Sequence, residues 1–157
     1  MAGIDYDAIQ DNVAAAIAAG SGLTSAYGVQ VLIEEEFSQV VGAIDNGKIV
    51  IVYLDDRVTT AGQPLAAGQR TRMDIGFSIL VAGVAINSFR AAAAIRTDLI
   101  SKVEIALMTD RKLNDSVASS WLLGGEFFSM RKKASMGLVY MAIGEVKLVA
   151  QATASTQ

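Results

Sequence analysis

The sequence predicts an α+β domain: a mostly antiparallel sheet of about four strands with helices packed on one face. Three observations carry this expectation. Apolar residues recur at helical spacing near the N-terminus and again between Asn87 and Asp110. Runs rich in β-branched residues stand at Ile49–Leu54 and Met73–Ile86. The order places two strands before the long helix and two after it, joined by hairpin-length links, which favours strand-next-to-strand pairing. At 157 residues the chain fits one domain, and its 52% hydrophobic content suffices for a core without staples. The reading is a single unit over 1–157, ordered from about residue 5 to 149, with a small polar tail at 150–157 that frays.

Each element has a local cause. Asp5 caps a first helix from Tyr6 to about Ala19, whose stripe is Ile9, Val13 and Ile17. Gly20, Ser21 and Gly22 end it. Val31, Leu32 and Ile33 suit a short strand, and Phe37–Ile44 reads as one or two helical turns. Asp45-Asn46-Gly47 supplies turn chemistry before the strand Ile49–Leu54, which is apolar on both faces as a covered central strand should be. Thr59–Gly68 is a loop of small residues. In Met73–Ile86 the apolar parity changes at Ala82-Gly83, which predicts a β-bulge. Asn87 or Ser88 caps the longest helix, with Ala92, Ile95, Leu99, Val103, Ala106 and Leu107 as its buried stripe and Asp98–Lys102 as an exposed pair. Leu113–Trp121 is a connector. Gly124-Gly125 opens a final pair of strands, Glu126–Lys132 and Leu138–Val149.

The composition excludes much chemistry. There is no cysteine, so disulfides and thiolate metal sites are absent, and no histidine, the usual general base and zinc ligand. Net charge is −3, a poor match for wrapping a nucleic-acid backbone. The first ten residues lack the basic-then-apolar order of a secretory signal, and Ile75–Ile86 is too short for the roughly 20 residues a membrane helix requires. No catalytic, cofactor or metal residue is assigned, and no membrane contact is expected.

Two apparent motifs fail on their own chemistry. Gly42 to Lys48 has the spacing of a phosphate-binding loop. Yet Ile49 stands where a magnesium-binding hydroxyl belongs, and the segment opens a strand instead of a helix. Glu145-Val146-Lys147 has the acid-x-lysine form of some metal-dependent nucleases, with Asp55 and Asp56 as further carboxylates. Strand alternation explains it equally well, because Glu145 and Lys147 point opposite Val146 and Leu148. Surface candidates remain. Glu34, Glu35 and Glu36 form an acidic run, Arg70 and Arg72 follow the long loop, and Arg131, Lys132 and Lys133 mark the last hairpin. Basic clusters in an acidic chain without interleaved aromatics suit ion pairs between subunits better than nucleic acid. Trp121, Phe127 and Phe128 read most simply as core anchors, with interface anchors as the alternative.

The element order and several segments resemble the tail terminator (tail completion) proteins of long-tailed bacteriophages, of the Mu-like contractile type. The resemblance spans Asp5 to Val149 and is carried by the helix Ile4–Ala18 and the strands Ile49–Leu54 and Phe77–Ala82. The small-residue helix Arg90–Met108 and Leu122-Leu123-Gly124-Gly125-Glu126 before the last hairpin complete it. It implies a virion protein, assembled in the host cytoplasm, that forms a homo-oligomeric, hexameric ring at the head-proximal end of the tail. Its implied partners are further copies of itself, tail tube and sheath proteins, and head–tail connector or neck proteins, with DNA only passing through the lumen. No cofactor is implied. Two alternatives are a neck or head-closure adaptor and, more distantly, a metal-dependent phosphodiesterase using Asp55, Asp56 and Glu145.

Overall fold

The computed structural model describes residues 3–36, 48–59, 70–134 and 137–155. Along them run α1 (Tyr6–Ala19), a 3-10 turn (Gly20–Gly22), α2 (Leu23–Ala26), β1 (Gln30–Ile33), β2 (Lys48–Thr59) and β3 (Arg70–Ile86). Then come α3 (Phe89–Thr109), β4 (Ser119–Gly124), β5 (Phe127–Ala134) and β6 (Gly137–Ser155). The strands form one six-stranded sheet in the order β1-β2-β3-β6-β4, with β5 also on β6. This corrects the expected sheet of about four mostly antiparallel strands: the sheet is mixed, because β1 lies parallel to β2, with Gln30 opposite Ile49 and Ile33 opposite Val52. The two additional strands are short. β1 has four residues and falls where Val31, Leu32 and Ile33 suit a short strand, and β4 lies partly inside the expected connector Leu113–Trp121 and runs beyond it.

The β3/β6 ladder is the longest feature, running in unbroken antiparallel register from Arg70 opposite Ser155 to Ile86 opposite Val139. It also replaces the fraying tail. Residues Gln151–Ser155 are strand, and Ala152 alternates inward and is buried, so pairing with β3 holds this segment.

Helices α1 and α3 lie on one face of this sheet, α1 over β1 and β2 and α3 over β3 and β6. Asp5 caps α1 by accepting from the Ala8 amide at 3.0 Å, and Ser88 caps α3 by accepting from Ala91 at 3.1 Å. The α1 stripe Ile9, Val13 and Ile17 meets Val50, Val52, Phe77 and Ile79. On α3 the buried residues are Ala92, Leu99, Ile100, Val103, Ala106 and Leu107, while Ile95 is only partly buried against the same core. Each large apolar side chain enclosed here contributes about 1.5–3 kcal/mol. The opposite face carries a second cluster, Ile49, Ile51, Ala82, Met141 and Ile143, so β2 is buried on both sides at its centre.

The expected bulge at Ala82-Gly83 does not exist, since the register of β3 passes through both residues on both of its edges. The change of parity has another cause. Gly83 faces α3, where a Cβ would stand 2.4 Å from the carbonyl oxygen of Ala92 and 2.8 Å from the Arg96 amide. The helix backbone rests there on bare strand, and the apolar side chains Ala82 and Val84 belong to the other face. True irregularities lie at Leu54/Asp56 in β2 and Leu122/Gly124 in β4. The expected helical turns at Phe37–Ile44, the turn at Asp45–Gly47 and most of the loop Thr59–Gly68 lie outside the described residues. Gly83→Ala is expected to lower unfolding free energy by about 1–3 kcal/mol, because its contact is helix backbone and not a flexible side chain. Chemical denaturation compared with Gly3→Ala, a position with open space around it, checks this.

Candidate interaction surface

The described residues bring no chemical constellation together. Among them no group of three or more acidic side chains is placed to hold a metal ion. Glu145 and Lys147 lie on the same face of β6, opposite Val146 and Leu148, and Glu145 accepts a hydrogen bond from the Ser78 hydroxyl at 2.7 Å. Asp56 stands on β2 opposite Gly76, with β3 between it and β6. Lys48, the last residue of the loop-like motif, opens β2. No helix among the described residues is long and apolar enough to cross a membrane.

The three acidic neighbours separate by role. Glu34 takes a left-handed backbone (φ 53°) where β1 ends, and its amide donates to the Val52 carbonyl at 3.1 Å. Its Oε1 accepts from the buried Gln10 amide on α1 at 2.7 Å and from the Leu54 backbone amide at 2.7 Å. That second bond matters because the β2 ladder shifts register between Leu54 and Asp56, so the carboxylate meets an amide beside the irregularity. Glu34 thus clamps α1, β1 and β2 together. Glu35 and Glu36 follow with exposed side chains, and the Glu35 carbonyl accepts a hydrogen bond from the Tyr53 hydroxyl of β2. Gln10, which also donates to the Val52 carbonyl at 3.2 Å, carries no sequence signal beyond its place on the inner face of α1.

The basic candidates do not converge either. Arg70 and Arg72 begin β3 opposite Ser155 and Thr153, at one end of the sheet. Arg131, Lys132 and Lys133 lie on β5 opposite Tyr140, Val139 and Leu138, at the other end. Arg72 and Arg131 are exposed.

What the structure does assemble is an apolar outer edge. β4 and β5 both pair with β6 on the side away from β3, β4 along Lys147–Gln151 and β5 along Gly137–Gly144, so together they form one interrupted edge strand. The interruption is Gly124-Gly125. A Cβ on Gly125 would lie 1.9 Å from the Glu145 carbonyl oxygen, and the Glu145 amide donates to Glu126 at 2.9 Å. These glycines therefore let the edge hug β6 where the strand breaks, instead of simply opening a hairpin. Along the edge Trp121, Leu123, Phe127, Phe128 and Met130 are 39%, 62%, 63%, 44% and 46% exposed. This overturns the core reading of Trp121, Phe127 and Phe128. Their side chains point to the faces of the sheet at a border that the core clusters do not cover, whereas Leu122 of the same border packs partly against the core. The Arg96 guanidinium stacks on Phe127, 4.6 Å from the ring centroid, and stiffens that side chain in its outward position.

An exposed apolar sheet edge is ordinarily shortened, charged or covered, since it offers unpaired backbone and adhesive side chains. Neither a protein-family model nor a curated protein matches this chain. The Glu34 clamp gives a first distinction within the surface. Glu34→Ala is expected to destabilise the fold by about 1 kcal/mol through the lost bonds to Gln10 and Leu54. Glu35→Ala is expected to change stability by less than about 0.5 kcal/mol. Urea unfolding midpoints of both variants check the difference.

Proposed function

We propose that this chain is a structural subunit of a phage tail, a tail terminator that forms a ring at the head-proximal end, stops tube and sheath growth and joins the tail to the neck. The observation that carries the reading is the apolar edge of β4 and β5. Five large hydrophobic side chains stand exposed along the interrupted border formed by β4 and β5, on both of its faces, apolar surface suited to burial against another protein chain. A terminator requires complementarity and ring closure, not chemistry. A heterologous contact repeated around an axis supplies both. The resemblance of the segments quoted above to tail terminator proteins points the same way and selects this job among the assembly roles.

The test is twofold. Native mass spectrometry and negative-stain images of the purified chain should show a closed ring, and adding the chain to polymerising tube protein should cap tubes and shorten their length distribution. A compact monomer that leaves tube length unchanged would overturn the reading. Leu123→Ser/Phe127→Ser is expected to abolish the ring while moving the monomer's thermal midpoint little, because both side chains are more than half exposed. Size-exclusion chromatography with light scattering reads the first effect, and circular dichroism the second.

A further inference from the structure

β5 is an edge strand whose outer side is open. Its register on β6 is the one that Gly124 already holds: Gly124 stands opposite Lys147, Phe127 opposite Gly144 and Ala134 opposite Gly137. The Glu145 amide donates to the Glu126 carbonyl, and antiparallel pairing alternates from there. Glu126, Phe128, Met130 and Lys132 therefore turn their backbone groups to β6. Phe127, Ser129 and Arg131 turn theirs outward, where no described strand meets them. The faces alternate as well. Phe127 lies on the α3 side, against Arg96, and Ser129 and Arg131 share that side, while Phe128 and Met130 lie on the other. These side chains are all exposed. Neither a proline nor a bulge interrupts Phe127–Ala134 to discourage a further strand.

We propose that β5 pairs antiparallel with β5 of a second copy about a two-fold axis at Ser129, and that this dimer is the form of the free chain before it enters a ring. The proposal goes beyond the ring reading and does not depend on it. Backbone parity leaves few arrangements. Outward groups must meet outward groups, so the axis passes at a residue and not between two. Ser129 is the middle of the stretch Gly124–Ala134 that keeps one register on β6, so an axis there gives the longest overlap. The cross-strand pairs it creates also fit. Phe128 meets Met130 of the second copy, apolar against apolar. Arg131 meets Phe127, the ring that Arg96 already stacks on within the chain. Exposed Glu126 falls opposite Lys132, so unlike charges meet and no basic residue faces another. An axis at Arg131 would set that residue against its own copy. The contact is isologous and closes at two copies. Because it occupies β5, it covers the edge of the free subunit and must open before that border meets a ring neighbour.

The test uses the full chain at increasing concentration. Sedimentation velocity is expected to show a dimer at concentrations below those that give the ring. Ser129→Pro removes an amide that points outward and leaves the β6 ladder intact, and it is expected to weaken dimerisation at least about tenfold. Lys132→Glu is expected to weaken it too, and Glu126→Lys/Lys132→Glu to restore it, since the exchange rebuilds both unlike pairs. The chain has no cysteine, so Ser129→Cys places a single thiol beside its own copy and is expected to give a covalent dimer on mild oxidation. Arg131→Cys is expected to give none, because its two copies stand about 13 Å apart along the strands. A chain that passes from monomer to ring without a dimer, or a dimer that survives Ser129→Pro unchanged, would overturn the proposal while the ring reading stands. A dimer that meets these expectations in a chain that neither closes a ring nor caps tubes would uphold the proposal and remove the ring reading. If Ser129→Pro misfolds by circular dichroism, the cysteine variants decide, and the absence of a Ser129→Cys crosslink overturns the proposal.

Discussion

The β3/β6 ladder is the constraint on which the remaining architecture depends. Its register is continuous from Arg70–Ser155 to Ile86–Val139, so it sets one long axis, and every other element takes its place from one of the two strands. β3 holds β2, and through it β1, on one side. β6 holds β4 and β5 on the other. Helix α3 crosses the ladder where Gly83 and Gly144 leave it bare: a Cβ at Gly83 would strike helix backbone, and one at Gly144 would stand 2.1 Å from Ile100 Cδ1. The helix thereby approaches the sheet more closely than side chains would allow. Leu99, Val103 and Leu107 then fill the space over Phe77, Ile79 and Leu148.

A sheet built outward from one central pair has two free borders, and this chain treats them differently. The β1 border is stiffened from within by Glu34, whose carboxylate joins α1 to the irregular part of β2 and whose left-handed backbone turns the chain away from the strand. Beyond that clamp the surface is acidic. The β4/β5 border is interrupted at Gly124-Gly125, and the register shift between Leu122 and Gly124 falls at Leu123, among its most exposed apolar residues. Bulges commonly blunt sheet edges, but here the bulged stretch keeps its apolar side chains outward and a basic trio follows them. Such an edge is a liability in an isolated subunit and an asset in an assembling one.

Much of this was legible in the sequence. The bounds of α1, its Asp5 cap, the cap of α3 at one of two positions and the burial of Ile49–Val52 within the strand read as Ile49–Leu54 follow from local spacing and local chemistry, whereas Leu54 is exposed. The parity change at Gly83 misleads because periodicity records which side chains are apolar. It does not record that a helix backbone occupies the place of one of them. Glu34 reads as one of three equivalent carboxylates until the Leu54 amide and Gln10, remote in sequence, are brought to it.

The sequence by itself determined α1, the long helix and the strand cores of β2, β3, β5 and β6, the absence of cysteine and histidine chemistry, and the acid and base that each segment carries, because those depend on residues a few positions apart or on composition alone. Only the tertiary structure decided that the sheet has six strands with one parallel pair, and that Gln151–Ser155 are strand. It also decided that Trp121, Phe127 and Phe128 face outward. The physical reason is common to all of these. Strand pairing, and with it the identity of the border, is a contact between segments far apart in the chain. An aromatic side chain on a strand is core or surface according to whether a distant segment covers the face to which it points.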